Sequence, residues 1–387
     1  MVLAEAILAF VLVGSALGLL LVFVLYPLVV VLVATLRGRE GKAGGAAPVP
    51  SASLLVALRN AEGLVDQKVE NCLALQSSVP LQIVFASDGS TDRTVERLRA
   101  AGGTRIEVLE VKEHVGKAHA LNLGAERCRG EVLILSDADA LLAPDAVEAL
   151  LARYEPGVGG VCGQRVIGER EGELVEAQGS YIAADSALKR AESRAGSVTS
   201  NDGKLYSIRR ALFRPIAPGA TDDLYTCLNV IQQGQRFVFE PRARAYVRTP
   251  SRSARHELSR RRRIVSRSLR GIYLMRTLLN PLRFGGFSFQ LLINKVCRRL
   301  LPLFLIAFFV ASAGLALRHP WARLLSGAQL AFYALAFLHS ALRRVPLLRR
   351  GTSVAYYFCV GNAGTLLGLL DFARGKETVK WDPVKAD

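Results

Sequence analysis

Paired cysteines are missing from this chain of 387 residues: its six cysteines include no CxxC and show no regular spacing. That excludes a zinc site built on such pairs and a disulfide framework, and the thiols read as reduced, mostly buried side chains of a cytosolic domain. Acidic residues are scarce beside basic ones, 33 Asp plus Glu against 50 Lys plus Arg, for a formal net charge of +17. Such an excess invites a nucleic-acid partner. The basic stretch Arg252–Arg270, however, contains no aromatic residue, and strand binding needs aromatic faces interleaved with the cations. Nucleic acid is therefore excluded as the expected partner. Charge is absent altogether from Ala6 to Ala34 and from Leu300–Leu317, Leu324–Leu342 and Thr352–Leu370. A signal peptide has an apolar core of only about 7–15 residues. The first run is longer, and its basic flank, Arg37, Arg39 and Lys42, follows it. It reads as an uncleaved membrane anchor over residues 1–37.

Much of the basic excess lies beside apolar segments, at Arg260 to Arg263, Arg298 and Arg299, Arg343 and Arg344, and Arg349 and Arg350. Basic residues so placed mark the cytosolic side and contact anionic lipid headgroups. Residues 38–50 are rich in Gly, Ala and Pro and read as a linker. Strand-like runs at Ser53–Leu58, Leu81–Ala86, Arg105–Val111 and Glu131–Leu135 then alternate with helical patterns at Val65–Leu75, Thr94–Ala100, Lys117–Cys128 and Pro144–Tyr154. This alternation predicts an α/β domain over residues 51–250 with a mostly parallel sheet covered on both faces. Residues 251–299 read as basic amphipathic interfacial helices and 300–342 as two transmembrane helices.

Parallel sheets bind ligands at the carboxyl ends of their strands, and the unusual residues fall there. The first strand ends in Arg59-Asn60-Ala61-Glu62 and the second in Ser87-Asp88-Gly89-Ser90-Thr91-Asp92. Gly116-Lys117-Ala118-His119-Ala120-Leu121-Asn122 follows the third, and Asp137-Ala138-Asp139 the fourth. Two carboxylates at alternate positions past a buried strand suit Mg²⁺ or Mn²⁺, whose other ligands are phosphate oxygens and water. A nearby lysine adds charge against a diphosphate. Each piece alone also fits a solvated turn or a helix cap, but four in this order are hard to obtain by accident.

These four elements resemble glycosyltransferase family 2, with the GT-A fold, over residues 51–250. The flanking apolar segments resemble those of the synthases of hyaluronan, chitin, cellulose and poly-N-acetylglucosamine. The resemblance implies that Asn60, Glu62 and Asp88 hold the base and ribose of a nucleotide-sugar, with Lys117 close by. Asp137 would contact the nucleotide sugar, and Asp139, with Asp137, would hold the metal. Thr221-Asp222-Asp223 resembles the family's Thr-Glu-Asp motif, whose last carboxylate is the general base. Asp223 is the expected base and Asp222 the fallback, since a sugar hydroxyl is a poor nucleophile until its proton is removed. The segment beginning Asp202-Gly203-Lys204-Leu205-Tyr206 resembles the acceptor-site lining, which assigns Asp202, Gly203 and Tyr206 to the acceptor. Trp381, in Thr378-Val379-Lys380-Trp381, resembles a gating or priming Trp. Processive members carry Gln-x-x-Arg-Trp on an interfacial helix. Here the matching residues end in Arg263-Ile264, so Arg263 keeps a phosphate role and the aromatic platform is missing.

The expected protein is an inverting, metal-dependent transferase of the plasma membrane, multi-pass, with its catalytic domain in the cytosol. Its donor would be a nucleotide-sugar, UDP-linked by family likeness, and its acceptor a growing polysaccharide or a lipid-linked glycan. Transfer of a single sugar to a polyprenyl-linked acceptor is the alternative. A nucleotidyltransferase would show a Gly-rich loop with Arg after Ser53–Leu58, which is absent. A non-catalytic scaffold would be expected to have lost the metal and base carboxylates. The anchor would run outside to inside, 300–317 would exit and 324–342 return. A further full crossing would strand Arg374, Lys376, Lys380 and Lys385 outside, against the positive-inside tendency. Residues 343–387 are therefore expected to form an interfacial or re-entrant helix and a cytosolic tail.

Overall fold

The computed structural model describes residues 2–37, 49–168, 173–247, 254–342 and 345–376. Most of the expected linker and all of the Thr378–Trp381 motif lie outside the described residues.

One mixed sheet forms the domain, in the order β3-β2-β1-β4-β7-β6-β8-β5. The strands are β1 (Ala52–Leu58), β2 (Leu81–Asp88), β3 (Glu107–Val111), β4 (Val132–Asp137), β5 (Ala140–Leu142), β6 (Val158–Ile167), β7 (Leu205–Arg209) and β8 (Arg236–Val247). The half containing β1 to β4 is parallel. β7 then runs antiparallel between β4 and β6. Every residue of β1 is buried, because both of its faces are covered, and a strand in that position reads as a continuous apolar run. Leu54, Val56 and Leu58 join one core with Val65, Val69 and Val147. Leu55 and Ala57 join the other, with Leu121, Leu224 and Leu228.

An N-terminal helix, α1 (Val2–Leu36), leads into this domain. The domain's helices are α2 (Val65–Leu73), α3 (Thr94–Gly102), α4 (Lys117–Arg127), α5 (Ala146–Leu151), α6 (Glu173–Ala195) and α7 (Asp222–Gln232). Four longer helices follow: α8 (Ala254–Leu274), α9 (Leu301–Ala316), α10 (Pro320–Phe337) and α11 (Pro346–Ala373).

The first half of α1 packs Leu8, Val11 and Leu12 on Ala311 and Leu315 of α9. Its second half packs Tyr26, Val30 and Ala34 on Leu188 and Ala191 of α6. There the Tyr26 hydroxyl donates to Glu192, a fully buried carboxylate that also accepts from the Thr199 main chain at 2.9 Å and from Asn294 at 2.7 Å.

Among the described residues, α1 and Gly351–Ala373 are long and apolar enough to cross a membrane. A third crossing appears only if Gly286–Arg299 and α9, bent by 59°, count as one span. Residues 300–342, expected to form two transmembrane helices, hold α9 and α10. α9 has 16 residues, and α10 is not among the helices that qualify, since Arg323 and Gln329 interrupt its apolar sequence. The segment expected to be interfacial or re-entrant is one unbroken helix, α11, with no turn inside it. α11 rests on α8 through glycines. A Cβ at Gly368 would come within 2.7 Å of the Arg262 carbonyl, and one at Gly364 within 2.9 Å of the Leu258 carbonyl. Arg262 of α8 also forms an ion pair with Asp371 of α11.

Candidate active site

A cleft of about 840 Å³ opens at the carboxyl ends of β1 and β4 and is closed on one side by α8. Its lining contains Asn60, Glu62, Lys117, Asp137, Asp139, Asp202, Gly203, Asp222, Asp223 and Arg263. The structure thus gathers ten of the expected residues around one space.

The loop after β1 is locked to the loop after β2. Asn60 adopts φ 46°, a left-handed conformation that Asn tolerates better than most residues. In that pose its Oδ1 accepts from the Thr91 main chain at 2.8 Å. The Ala61 amide donates to the Thr94 hydroxyl at 2.8 Å and the Arg93 amide to Glu62 at 3.2 Å.

Asp88, expected to hold base or ribose, is placed differently. It is fully buried behind the cleft, and its oxygens accept from the main chains of Val115 and Gly116 at 3.0 Å and lie 2.9 Å from His114 Nδ1. It fixes the turn that starts α4, and Lys117 is the first residue of that helix. Gly89, at φ 61°, permits this approach, since a Cβ there would meet the His114 nitrogen at 2.5 Å.

Lys117 Nζ lies 2.6 Å from Asp137 and 2.7 Å from Asp222. Lys204 Nζ, at the mouth of β7, lies 3.0 Å from the other oxygen of Asp137 and 2.7 and 2.9 Å from the two oxygens of Asp139. Carboxylates and ammoniums therefore alternate: Asp139, Lys204, Asp137, Lys117, Asp222. Burial alone would raise the Asp137 carboxyl, but Lys117 and Lys204 outweigh it and hold the group well below the usual carboxylate range. Burial likewise works against charge on Lys117, and Asp137 and Asp222 overcome it, so this ammonium is held above its ordinary value.

Asp223 is the exception. Its carboxylate accepts from the Leu224 main chain at 2.7 Å. Burial first, and then the neighbouring Asp222 charge, push it up to about 6.

Two buried polar groups missed in the sequence hold the Asp-Ala-Asp loop from behind. Lys68, on α2, is 1% exposed. Its Nζ donates to Ser136 Oγ at 3.0 Å and to the Ala140 carbonyl at 2.5 Å. Ser136 Oγ in turn donates to the Lys204 carbonyl at 3.0 Å. The signal was present: Val65, Lys68, Val69 and Cys72 form the buried face of α2, and a lysine at such spacing is out of place unless it has a task. Asp202 is paired with Arg165 at 3.3 Å on the cleft wall. Tyr206, expected at the acceptor, is instead fully buried in β7 and does not line the cleft. The sheet is covered on both faces there, so Leu205 and Tyr206 both point into protein. Trp381 lies outside the described residues.

Asp137 and Asp139 converge on a single cation, the Lys204 ammonium, and carboxylates so spaced fit a divalent ion equally well. Among the described residues no three His, Cys, Asp or Glu side chains meet as a metal cage. A metal at this point would take its remaining ligands from phosphate and water.

Comparison with known proteins agrees with this geometry. The family described as Glycosyl transferase family 2 matches residues 53–216. The poly-beta-1,6-N-acetyl-D-glucosamine synthase of Staphylococcus aureus is 24% identical over 206 residues, covering 51% of this chain and 50% of that protein. An uncharacterized glycosyltransferase of Haemophilus influenzae is 29% identical over 105 residues, covering 27% of this chain and 42% of that protein. The chain thus spans about half the length, or less, of these curated relatives. Among solved structures, a mannosyltransferase of Pyrobaculum calidifontis, in complex with GDP-Man and Mn²⁺, matches with a TM-score of 0.67 at 21% identity, over 96% of this chain and 99% of that one. That likeness extends beyond the sheet domain to nearly the whole chain and shows a shared fold. Strand ends, acidic loop and overall architecture agree with these matches: residues 53–216 fit the family 2 glycosyltransferase model, and the chain shares the GT-A fold of that mannosyltransferase.

Proposed function

We propose that the protein is an inverting, metal-dependent glycosyltransferase that moves a sugar from a nucleotide-sugar donor to an acceptor at the membrane surface. The observation that carries this reading is the pairing of functions in one cleft. A row of alternating carboxylates and ammoniums suits a diphosphate and its cation, and next to it stands a carboxylate, Asp223, whose affinity for protons is raised to about 6.

In this reading Asn60, Glu62 and Thr91 form the nucleotide end, and Lys117 and Arg263 face the diphosphate. Asp139 and Asp137 would hold Mg²⁺ or Mn²⁺, which neutralises charge developing on the leaving diphosphate. Asp223 accepts the proton of the attacking hydroxyl, because a group titrating near neutrality combines a deprotonated resting state with useful basicity. Asp222 keeps Lys117 in place and is the second candidate for the base. Arg260, Arg263 and Arg267 of α8 form the opposite wall, so an acceptor entering along α8 meets cations and Ile264.

No Phe, Tyr or Trp side chain lines the cleft among the described residues. A growing polysaccharide is usually gripped by stacking on such a side chain, so this lining favours transfer of a single sugar to a lipid-linked acceptor over chain growth. UDP rests on family likeness, and the related fold in complex with GDP-Man makes GDP an equal candidate.

The test is nucleotide release by the detergent-purified protein over a panel of UDP- and GDP-sugars, with Mn²⁺, Mg²⁺ or EDTA, and with lipid extracts as acceptor source. Release from one donor that requires metal, Asp139 and Asp223 supports the reading. Release unaffected by EDTA and by Asp223→Asn would overturn it.

A further inference from the structure

Lys204 occupies the position that a metal bound by the acidic loop would need. Its Nζ touches one oxygen of Asp137 and both of Asp139 at 2.7–3.0 Å. A divalent ion held by the same oxygens would sit roughly 2.0–2.6 Å from them, so the ammonium and the ion exclude each other. The main chain of Lys204 is fixed, its carbonyl accepting from Ser136 Oγ at 3.0 Å and its amide donating to Asp202 at 3.3 Å. Only the side chain is left to move, and it lines the cleft.

Two ammoniums already offset most of the carboxylate charge in this row: Asp137, Asp139 and Asp222 face Lys117 and Lys204 within the cleft. A divalent cation entering alone would have to expel an ammonium from its salt bridges and leave it without a carboxylate partner. A cation entering with a diphosphate brings the compensating anion, and the displaced ammonium gains phosphate oxygens as new partners.

We propose that the Lys204 ammonium competes with the divalent cation for Asp137 and Asp139 and makes that cation enter together with the nucleotide diphosphate rather than alone. The inference rests on the transferase reading above and adds an order of assembly and a residue that enforces it. Binding of cation and nucleotide is then strongly coupled, and by linkage each strengthens the other by the same factor.

The experiment is Mn²⁺ binding by the full chain in detergent, followed by electron paramagnetic resonance, alone and with UDP or GDP. The Mn²⁺–nucleotide complex without protein serves as blank. For the unaltered protein we expect weak Mn²⁺ binding alone and a gain of about tenfold or more with one nucleotide, within the usual range of coupling between sites. Lys204→Met should bind Mn²⁺ alone about tenfold more tightly and lose most of the nucleotide effect. Lys204→Arg, which keeps the charge, should retain the coupling, and Lys204→Gln provides a second neutral variant should Lys204→Met fold poorly. Neutral variants whose Mn²⁺ affinity and nucleotide effect match the unaltered protein overturn the proposal alone. Equal binding by the unaltered protein with and without nucleotide does the same. Absence of Mn²⁺ binding in every combination overturns both this proposal and the metal-dependent reading beneath it.

Discussion

Asp222 and Asp223 are adjacent in sequence yet have different surroundings: Asp222 is 2.7 Å from the Lys117 ammonium, whereas Asp223 accepts from the Leu224 main-chain amide and is pushed up to about 6. The first turn of α7 aims the two side chains in different directions, so one carboxylate is held as a counter-ion and its neighbour is left to exchange protons. That division gives the clearest expectation for catalysis. Asp223→Asn should lower kcat by a factor on the order of 10²–10⁴ while nucleotide affinity stays unchanged. Transfer by the unaltered protein should rise with pH through about 6, as checked by initial rates from pH 5 to 8.

The same carboxylate costs the fold stability. Its proton affinity is higher in the folded chain than in the unfolded one, so its stabilising contribution is fully present only in acid and is lost as pH rises through about 6. At pH 7.5, Asp223→Asn should therefore raise Tm, with a gain of at most about 2–3 kcal/mol. An unchanged or lowered Tm would argue against the buried, charge-crowded setting described here.

Lys117→Met removes a cation that touches both Asp137 and Asp222 and that helps to keep Asp223 ionised. The acid limb of the pH–rate profile should move upward, and nucleotide affinity should fall. A profile displaced downward, or not at all, would show that Lys117 does not act on the base.

Lys68→Met leaves Ser136 Oγ and the Ala140 carbonyl without their buried donor. With the acidic loop less well held, affinity for Mn²⁺ with nucleotide should drop by about 10–100-fold, as when an outer partner of a metal ligand is lost. Burial lowers the proton affinity of Lys68 in the folded state, so folding disfavours its charged form and stability rises with pH. Denaturation from pH 7 to 10 should show the unaltered protein gaining on the variant.

Gly368→Leu places a side chain where the Arg262 carbonyl and Val265 already lie within 3 Å of a Cβ. α11 must then move off α8, whose other residues wall the cleft. Close helix contacts through glycine are sensitive to such change. We expect a lower Tm and a raised KM for the acceptor, with donor affinity preserved.

The parallel half of the sheet is legible because β1, β2 and β4 are largely apolar runs bounded by polar loops, and the chemistry sits in those loops. The second half is not: β5 has only three residues, β6 to β8 and α6 mix apolar and charged residues, as at Arg236–Val247, and their pairing spans long sequence distances. Asp88 was recognised as part of a motif, but its direction was not, since only the fold shows it turned toward the amides of Val115 and Gly116. Tyr206 was misplaced because a strand buried on both faces carries no alternation to show which way a residue points. Lys204 belongs to the segment read as acceptor lining, and nothing in the sequence brings it to Asp137, which is 67 positions earlier.

The buried contact between Tyr26 and Glu192 bears on how the protein can be handled. A chain shortened to start at residue 49, in the hope of a soluble catalytic domain, would keep Glu192 but lose the phenol that caps it. It would also bare the apolar strip of α6 now covered by Val30 and Ala34. Water would then reach a carboxylate whose other partners are Thr199, just after α6, and Asn294, which ties α6 to the segment leading into α9. Expression of that fragment should yield aggregates rather than a tractable enzyme, and α1 should be retained in any preparation meant for assay.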